Sequence, residues 1–417
     1  RGNKMWISNG EHELAENIVH LVLAKIPGPD GKLVPGTRGI SLFIVPKRLV
    51  DTEARLTGER NDVALAGLNH KLGYRGIPNT LLNFGEGKFP AHGSAGAIGY
   101  RVGAPGVGLR CMFHMMNEAR IAIGLGAVAL GWAGYEASLQ YARDRAQGRP
   151  MGQAGKDVAR PPVRIIEHAD VKRMLLAQKA YVEGGLALVL YCARLVDEQH
   201  TGARDAAKDA TLLLEVLTPI VKSWPSEWCL EANSLAIQVH GGYGYTRDFP
   251  VEQYWRDNRL NMIHEGTHGI QAQDLLGRKV VMDGGAGLEL LGARMQATIE
   301  RASKDEQLAP QAQALAGALQ AVRAATRAAW ASGKPDDALS NAMPYMQAFG
   351  HTVLAWVWLE LALATSAARD VDRADAMAGL LQAMRYYYAY EVPKVAAWLA
   401  VVNARDPVCR DMRDEWF

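Results

Sequence analysis

The stretch His264-Glu265-Gly266-Thr267-His268 gathers groups that can move protons or hold a metal. An apolar, charge-laced helical pattern leads into it from Val251, and another leads out towards Val280. Gly266 has low helix propensity, and the short polar side chain of Thr267 suits the cap of a new turn, so the helical path is expected to loosen at Glu265. A carboxylate at such a joint can project into a cleft and serve as a general base. The same five residues match H-E-x-x-H, in which two His one turn apart hold zinc and the Glu acts as base. Glu289 stands at a spacing suited to a third ligand. That chemistry needs one continuous helix, which Gly266 weakens, and Glu289 lies beyond the glycine-rich segment Asp283-Gly284-Gly285-Ala286-Gly287. A solvated carboxylate at a helix end is the plainer alternative.

The elements that must position these residues fall into three stretches. Residues 1–105 read as β. Met5–Ser8, Ile18–Ala24 and Ile40–Val45 are short apolar or alternating runs, and Pro27-Gly28-Pro29-Asp30-Gly31 is a turn by composition. Such strands need further partners to close a sheet. From 106 to 280 the apolar spacing is helical, with helices expected over 107–148, 169–203, 205–240 and 251–280. Pro225 predicts a kink or break in the third of these. That helix ends at His240-Gly241-Gly242, where glycines let the backbone approach a phosphate closely. Residues 281–417 are rich in Ala, Leu and Arg and read as helical, with turns near Ser332–Pro335 and at Arg369-Asp370. The fold class expected is α+β, mainly α. A partial β-barrel-like domain (1–105) is followed by an antiparallel four-helix bundle (106–280) and an additional C-terminal helical domain (281–417). The incomplete sheet and a first residue other than Met predict the C-terminal portion of a longer protein.

With 49% hydrophobic residues and a formal net charge of +2, the chain offers no basic field for nucleic acid and no acidic tail. Cys111, Cys192, Cys229 and Cys409 are widely spaced and read as reduced thiols of a cytoplasmic protein, not as a disulfide frame or a zinc site. No apolar run reads as long enough to span a membrane.

Short blocks then occur in a fixed order. They are Lys4-Met5-Trp6-Ile7-Ser8-Asn9-Gly10, then Asn117-Glu118-Ala119-Arg120, then Tyr141-Ala142-Arg143-Asp144-Arg145. Gln238-Val239-His240-Gly241-Gly242-Tyr243-Gly244-Tyr245 and Arg256-Asp257 follow, and Glu265-Gly266-Thr267 with Ile270-Gln271 closes the set. Across residues 1 to about 280 this set resembles the acyl-CoA dehydrogenase family, and the helical stretch after it resembles a long bacterial subclass of that family. The resemblance implies FAD-dependent α,β-dehydrogenation of an acyl-CoA thioester to the trans-2-enoyl-CoA, as in fatty-acid β-oxidation or the catabolism of short thioether acyl groups. It implies Glu265 as the base that removes the α-proton, in a dry pocket, and the backbone N–H of Glu265 as a donor to the thioester carbonyl. Trp6, Ser8, Arg145, Gln238, Gly241, Gly242 and Thr267 are the implied flavin contacts. Asn117, Arg120, His264 and Gly266 are the implied substrate contacts, and no metal is implied. An electron-transfer flavoprotein is the implied acceptor, and a homodimer or homotetramer the implied assembly. Three residues depart from the family pattern. Ala119 stands where some members carry their base on the first helix, His264 replaces a Tyr, and Gln147 replaces an aromatic residue. The rival expectations are a same-fold oxidase using oxygen, a zinc peptidase, and a scaffold without chemistry.

Overall fold

The computed structural model describes residues 1–150, 156, 159–367 and 373–417. The chain forms two compact units, Arg1–Glu118 and Ala119–Phe417. The expected turn at Arg369-Asp370 and most of the Pro/Gly-rich loop before Pro162 lie outside the described residues.

The first unit is built from antiparallel strands. β1 (Gly2–Ser8), β2 (Val19–Lys25) and β3 (Ile40–Pro46) come first, followed by β4 (Arg48–Val50) and β5 (Leu56–Arg60). β6 (Val63–Leu68), β7 (Asn79–Phe84) and β8 (Tyr100–Val102) complete the set. They pair as β1-β7-β6, as β2-β3-β8 and as the two-stranded β4-β5. Alternation sets the faces, as in β7, where Thr80, Leu82 and Phe84 are buried and their neighbours are less so. Val45, Val63, Leu82 and Phe84 form the small core. Asp62 organises the loop after β7 by accepting backbone N–H bonds from Gly87 (2.7 Å), Phe89 (3.1 Å) and Gly96 (3.0 Å). The register of β1 against β7 shifts between Lys4 and Ile7, so a bulge falls at Trp6.

The second unit is helical. α1 (Gly108–Asp144) enters it, then α2 (Ala169–Thr201), α3 (Arg204–His240), α4 (Val251–Asn258) and α5 (His268–Asp274) follow. α6 (Ala286–Ala302), α7 (Ala309–Ala329), α8 (Pro335–Leu339) and α9 (Ala342–Ala367) continue the chain, and α10 (Ala374–Tyr386), α11 (Lys394–Ala404) and α12 (Val408–Asp411) end it. Helices before and after residue 281 share one hydrophobic core that contains Val182, Trp224, Leu291, Phe349 and Trp358.

Of the kink or break expected at Pro225, the break does not occur, because α3 is one helix across Pro219 and Pro225. Proline removes the donor that would have bonded the carbonyl four residues back, here Val221. Gly124 of α1 approaches that carbonyl so closely that a Cβ there would lie 2.1 Å from Val221 O. Tight tertiary packing thus accompanies helical continuity through a residue that would break the helix in isolation. The membrane expectation also needs correction. Both α1 and α9 contain windows long and apolar enough to cross a membrane by length and composition, and the window in α9 is 78% buried inside the unit.

The helices after residue 281 are tied to α2 and α3 by a buried polar cluster. Glu391 accepts hydrogen bonds from Tyr181 Oη (2.9 Å) and Lys394 Nζ (2.6 Å) and lies 3.3 Å from His351 Nε2. Trp224 Nε1 donates to His351 Nδ1 at 3.1 Å, and the Gln347 carbonyl lies 3.1 Å from the same nitrogen. Burial works against the Glu391 charge, and the bonds from His351 and Lys394 outweigh it, leaving the carboxyl below its ordinary range. Glu391→Ala strips three donors of their acceptor, two of them inside the core, and is expected to destabilise the protein by about 3 kcal/mol. The shift of the urea unfolding midpoint measures it.

Candidate active site

The helical path expected over 251–280 is divided. α4 ends at Asn258, a 3-10 turn spans Arg259–Met262, and α5 starts only at His268. Between them Glu265 has φ 54° and Gly266 has φ 91°, two consecutive residues in the left-handed region. Glycine enters that region without penalty, whereas a residue with a Cβ pays on the order of 1 kcal/mol. Thr267 occupies the N-cap position as expected, but its side chain makes no capping bond. The turn is held another way. Gln271 Nε2 donates to Glu265 O at 3.1 Å, and Lys222 Nζ on α3 donates to Gly266 O at 2.7 Å. Both donors are fully buried. Among the described residues the N–H of Glu265 has no hydrogen-bond partner. The Glu265 side chain itself is exposed rather than enclosed in the expected dry pocket.

Cations collect beneath this turn. Arg120 (5% exposed), Lys222 (0%) and Lys279 (4%) are all buried. Arg120 pairs with Asp274 at 3.3 Å, and Lys279 pairs with Glu215. Lys222 instead meets the Gly266 carbonyl. Burial, and then the neighbouring Arg120, lower Lys222 to about 8, and Glu265 opposes them. Burial and Arg120 likewise lower Lys279 to about 8. Arg120, singled out from sequence, is therefore neither solvated nor free. Lys222, Lys279 and Asp274 escaped the sequence reading, and Gln271 was seen in the motif without a role. The signal for Lys222 was a lone cation in the apolar run Leu217–Trp228, flanked by Pro219 and Pro225.

The zinc arrangement does not form. His264 precedes the left-handed turn and His268 opens the next helix, so they do not share a helix. Glu289 pairs with Arg323 at 2.7 Å. Among the described residues no three His, Cys, Asp or Glu side chains are placed to hold a metal.

A second group assembles where α1 and α3 end. Gly241 terminates α3 with φ 60°, and a 3-10 turn runs Gly241–Tyr245. Gln238, Gly241 and Gly242 are exposed, and the Arg145 guanidinium sits 6.0 Å from the centroid of the Tyr243 ring. Tyr141 stacks on His240 at 4.4 Å, which fixes the two helix ends together. Open glycine backbone beside a guanidinium and exposed aromatic faces suits a ligand with phosphate and ring parts. In the first unit, Trp6 lies at the bulge with φ 67° and is 67% exposed, not half-buried as an ordinary strand Trp would be. Ser8, two residues on, is also exposed. A strained, exposed indole at a bulge is a side chain re-aimed for contact. Asn117 lies half-buried on α1, in the part that belongs to the first unit.

A family model described as "Acyl-CoA dehydrogenase, C-terminal domain" matches residues 106–280, and one described as "Acetyl-CoA dehydrogenase C-terminal like" matches residues 291–413. The chain is 40% identical over 362 residues to 3-methylmercaptopropionyl-CoA dehydrogenase of Ruegeria pomeroyi, covering 85% of this chain and 58% of that protein. It is 34% identical to the broad-specificity linear acyl-CoA dehydrogenase FadE5 of Mycobacterium tuberculosis, covering 88% and 60%. It is 33% identical to a butyryl-CoA dehydrogenase of Syntrophomonas wolfei, covering 100% and 68%. The chain thus spans about three fifths of the length of the first two relatives. Two solved structures share the fold. Caenorhabditis elegans ACDH-11 in complex with C11-CoA gives a TM-score of 0.71 at 22% identity, covering 95% of this chain and 61% of that one. An acyl-CoA dehydrogenase complexed with FAD from Bacillus anthracis gives 0.72 at 20% identity, covering 98% and 65%.

The two histidines beside the turn are uncharged at neutral pH. Burial, and then Lys222, lower both His264 and His268 to about 4, with Arg259 adding to the effect at His268. Orientation at His264 follows from a ladder of amides. Asn258 Nδ2 donates to the backbone carbonyl of Ala127 (3.1 Å) and so presents its oxygen to Asn261 Nδ2 (2.9 Å). Asn261 Oδ1 therefore faces His264 Nε2 at 3.1 Å and requires the proton there. The unfolded chain takes up these protons near the ordinary histidine value of 6.5, while the folded chain resists them down to about 4. Protons thus favour the unfolded state, and stability that is full above 6.5 is lost as pH falls towards 4. The loss is expected to be on the order of 2 kcal/mol per histidine. Urea midpoints measured across that range should fall less steeply in the His264→Asn/His268→Asn double variant.

Proposed function

The chain belongs to the acyl-CoA dehydrogenase family, and from that premise we propose that the protein is an FAD-dependent acyl-CoA dehydrogenase with Glu265 as its base. The observation that carries the reading is the turn itself. A carboxylate and an unpartnered N–H belong to one residue, held in a left-handed conformation that its own side chain disfavours. Glu265 accepts the α-proton of a bound acyl-CoA. Its N–H donates to the thioester carbonyl as negative charge develops there, and a donor fixed before reaction needs no reorganisation to do so. Neutral His264, with its proton on Nε2, leaves Nδ1 as an acceptor towards substrate, and Gly266, proposed on the substrate side, lacks a Cβ that would meet Gln271 Nε2 at 2.6 Å.

The residues present fit a flavin. Trp6 offers a bare ring face and Ser8 a hydroxyl, and Arg145, Gln238, Gly241, Gly242 and Thr267 offer the cation, amide and open backbone that a diphosphate and ribityl chain require. When bound, FAD supplies the acceptor for the β-hydrogen. Asn117 and Arg120 are proposed on the substrate side, with Arg120 acting through the field of the buried cations. We read the strands as part of a barrel-like domain, α1–α5 as the antiparallel four-helix bundle of the family, and residues 281–417 as its additional helical domain. An electron-transfer flavoprotein as acceptor, a homodimer or homotetramer, and the cytoplasm, which suits four free thiols, complete the proposal.

In the full-length protein, Glu265→Gln is expected to lower dehydrogenation at least ~10³-fold while the flavin absorbance spectrum remains. Anaerobic addition of an acyl-CoA should bleach the wild-type flavin and leave that of the variant unchanged. Peroxide formation without an added acceptor would instead reassign the protein as an oxidase.

A further inference from the structure

Lys222 sits between Pro219 and Pro225 on α3 with its side chain shut off from solvent. Its Nζ donates to one acceptor, the carbonyl of Gly266. The charged and titratable groups around it are Arg120 from α1 and His264, Glu265 and His268 from the loop and start of α5. Burying an ammonium costs free energy that a single neutral carbonyl only partly offsets, and Arg120 adds repulsion. A methionine of similar length would fill the same space without that cost. A charge kept at the expense of stability, bonded to the residue after the proposed base, indicates a role outside packing.

We propose that Lys222, with Gln271 as its companion, is a positioning residue that locks the Glu265–Gly266 turn and thereby aims both the carboxylate and the N–H of Glu265. The inference rests on the reading of Glu265 as the base. The two carbonyls of the left-handed pair, Glu265 O and Gly266 O, are each pinned by one buried donor. With Lys222 removed, the Gly266 carbonyl is unpinned and Glu265 can relax out of its disfavoured conformation, taking the base and the carbonyl donor out of register together.

The test uses the full-length, flavin-loaded protein and its Lys222→Met variant. The expected result is a kcat lowered about 10²-fold with KM changed less than about threefold. Flavin content should be retained, and the thermal midpoint at pH 7 should equal or exceed that of wild type. Folded Lys222 releases its proton near 8 and the unfolded residue near 10.5, so the wild type gains stability as pH rises through that window. The advantage of the variant in thermal midpoint should narrow over the same range. A purely structural lysine would give the opposite signature, a lower midpoint with flavin loss, and that result overturns the proposal. Unchanged kcat overturns it as well. An inactive wild type sinks the dehydrogenase reading beneath it, and is distinguished because the defect is then present before any substitution.

Discussion

The constraint on which the helical unit turns is the pair of left-handed residues at 265 and 266. Neither the propensity of Glu265 nor its own side chain favours that backbone, and Thr267, the residue best suited to cap the following helix, contributes no side-chain bond. The conformation persists because α3 and α5 each place a buried donor on a carbonyl of the turn. A turn held only by local sequence would sample several states. One held from two separate helices has its geometry fixed by the packing of the whole unit.

That arrangement carries an electrostatic cost which the fold distributes. Arg120 and Lys279 are matched by Asp274 and Glu215, so of these three buried cations Lys222 alone has no carboxylate partner among the described residues. Burial, reinforced by the same field, lowers His264 and His268 to about 4, and imidazoles that weakly basic compete little for the proton the base must take. Positive potential beneath the turn also favours negative charge above it, which is what an enolate-like transition state develops. One set of buried cations thus fixes a backbone, adds to the burial that silences two histidines and leaves a field of useful sign.

Much of this was legible in the sequence. The strands at the start, the long helices and the ends at His240 and near Val280 followed from periodicity and glycine placement. Glu265, Gly266 and the ordered blocks stood out by residue type. Three things did not. The passage of α3 through two prolines depends on Gly124 reaching Val221, a contact with no local trace. The left-handed sign of Glu265 depends on donors from other helices. The exposure of Trp6 depends on a bulge in β1, and a one-residue register shift has no signature in composition. In each case the missing information lay in residues distant in sequence and adjacent in space.

Among the described residues, the helices after residue 281 place no side chain of the proposed site, yet they pack on the segment of α3 that holds the turn. Trp224, two residues from Lys222, donates to His351 of α9, and Trp228 donates to Gln347 of α9 at 3.2 Å. A Cβ on Gly350 would lie 2.8 Å from the Trp224 ring, so α9 is seated directly on this segment of α3. Glu391 then clamps His351 to Tyr181 on α2. The face of α3 that carries Trp224 is braced by α9, while Lys222 one half-turn away reaches the proposed active site. A helix bearing two prolines would bend unless supported on both sides. Gly124 supports it on the side of α1, and the additional helices support it on the other. The additional helices thus pack on the segment of α3 from which a buried ammonium meets a carbonyl at 2.7 Å.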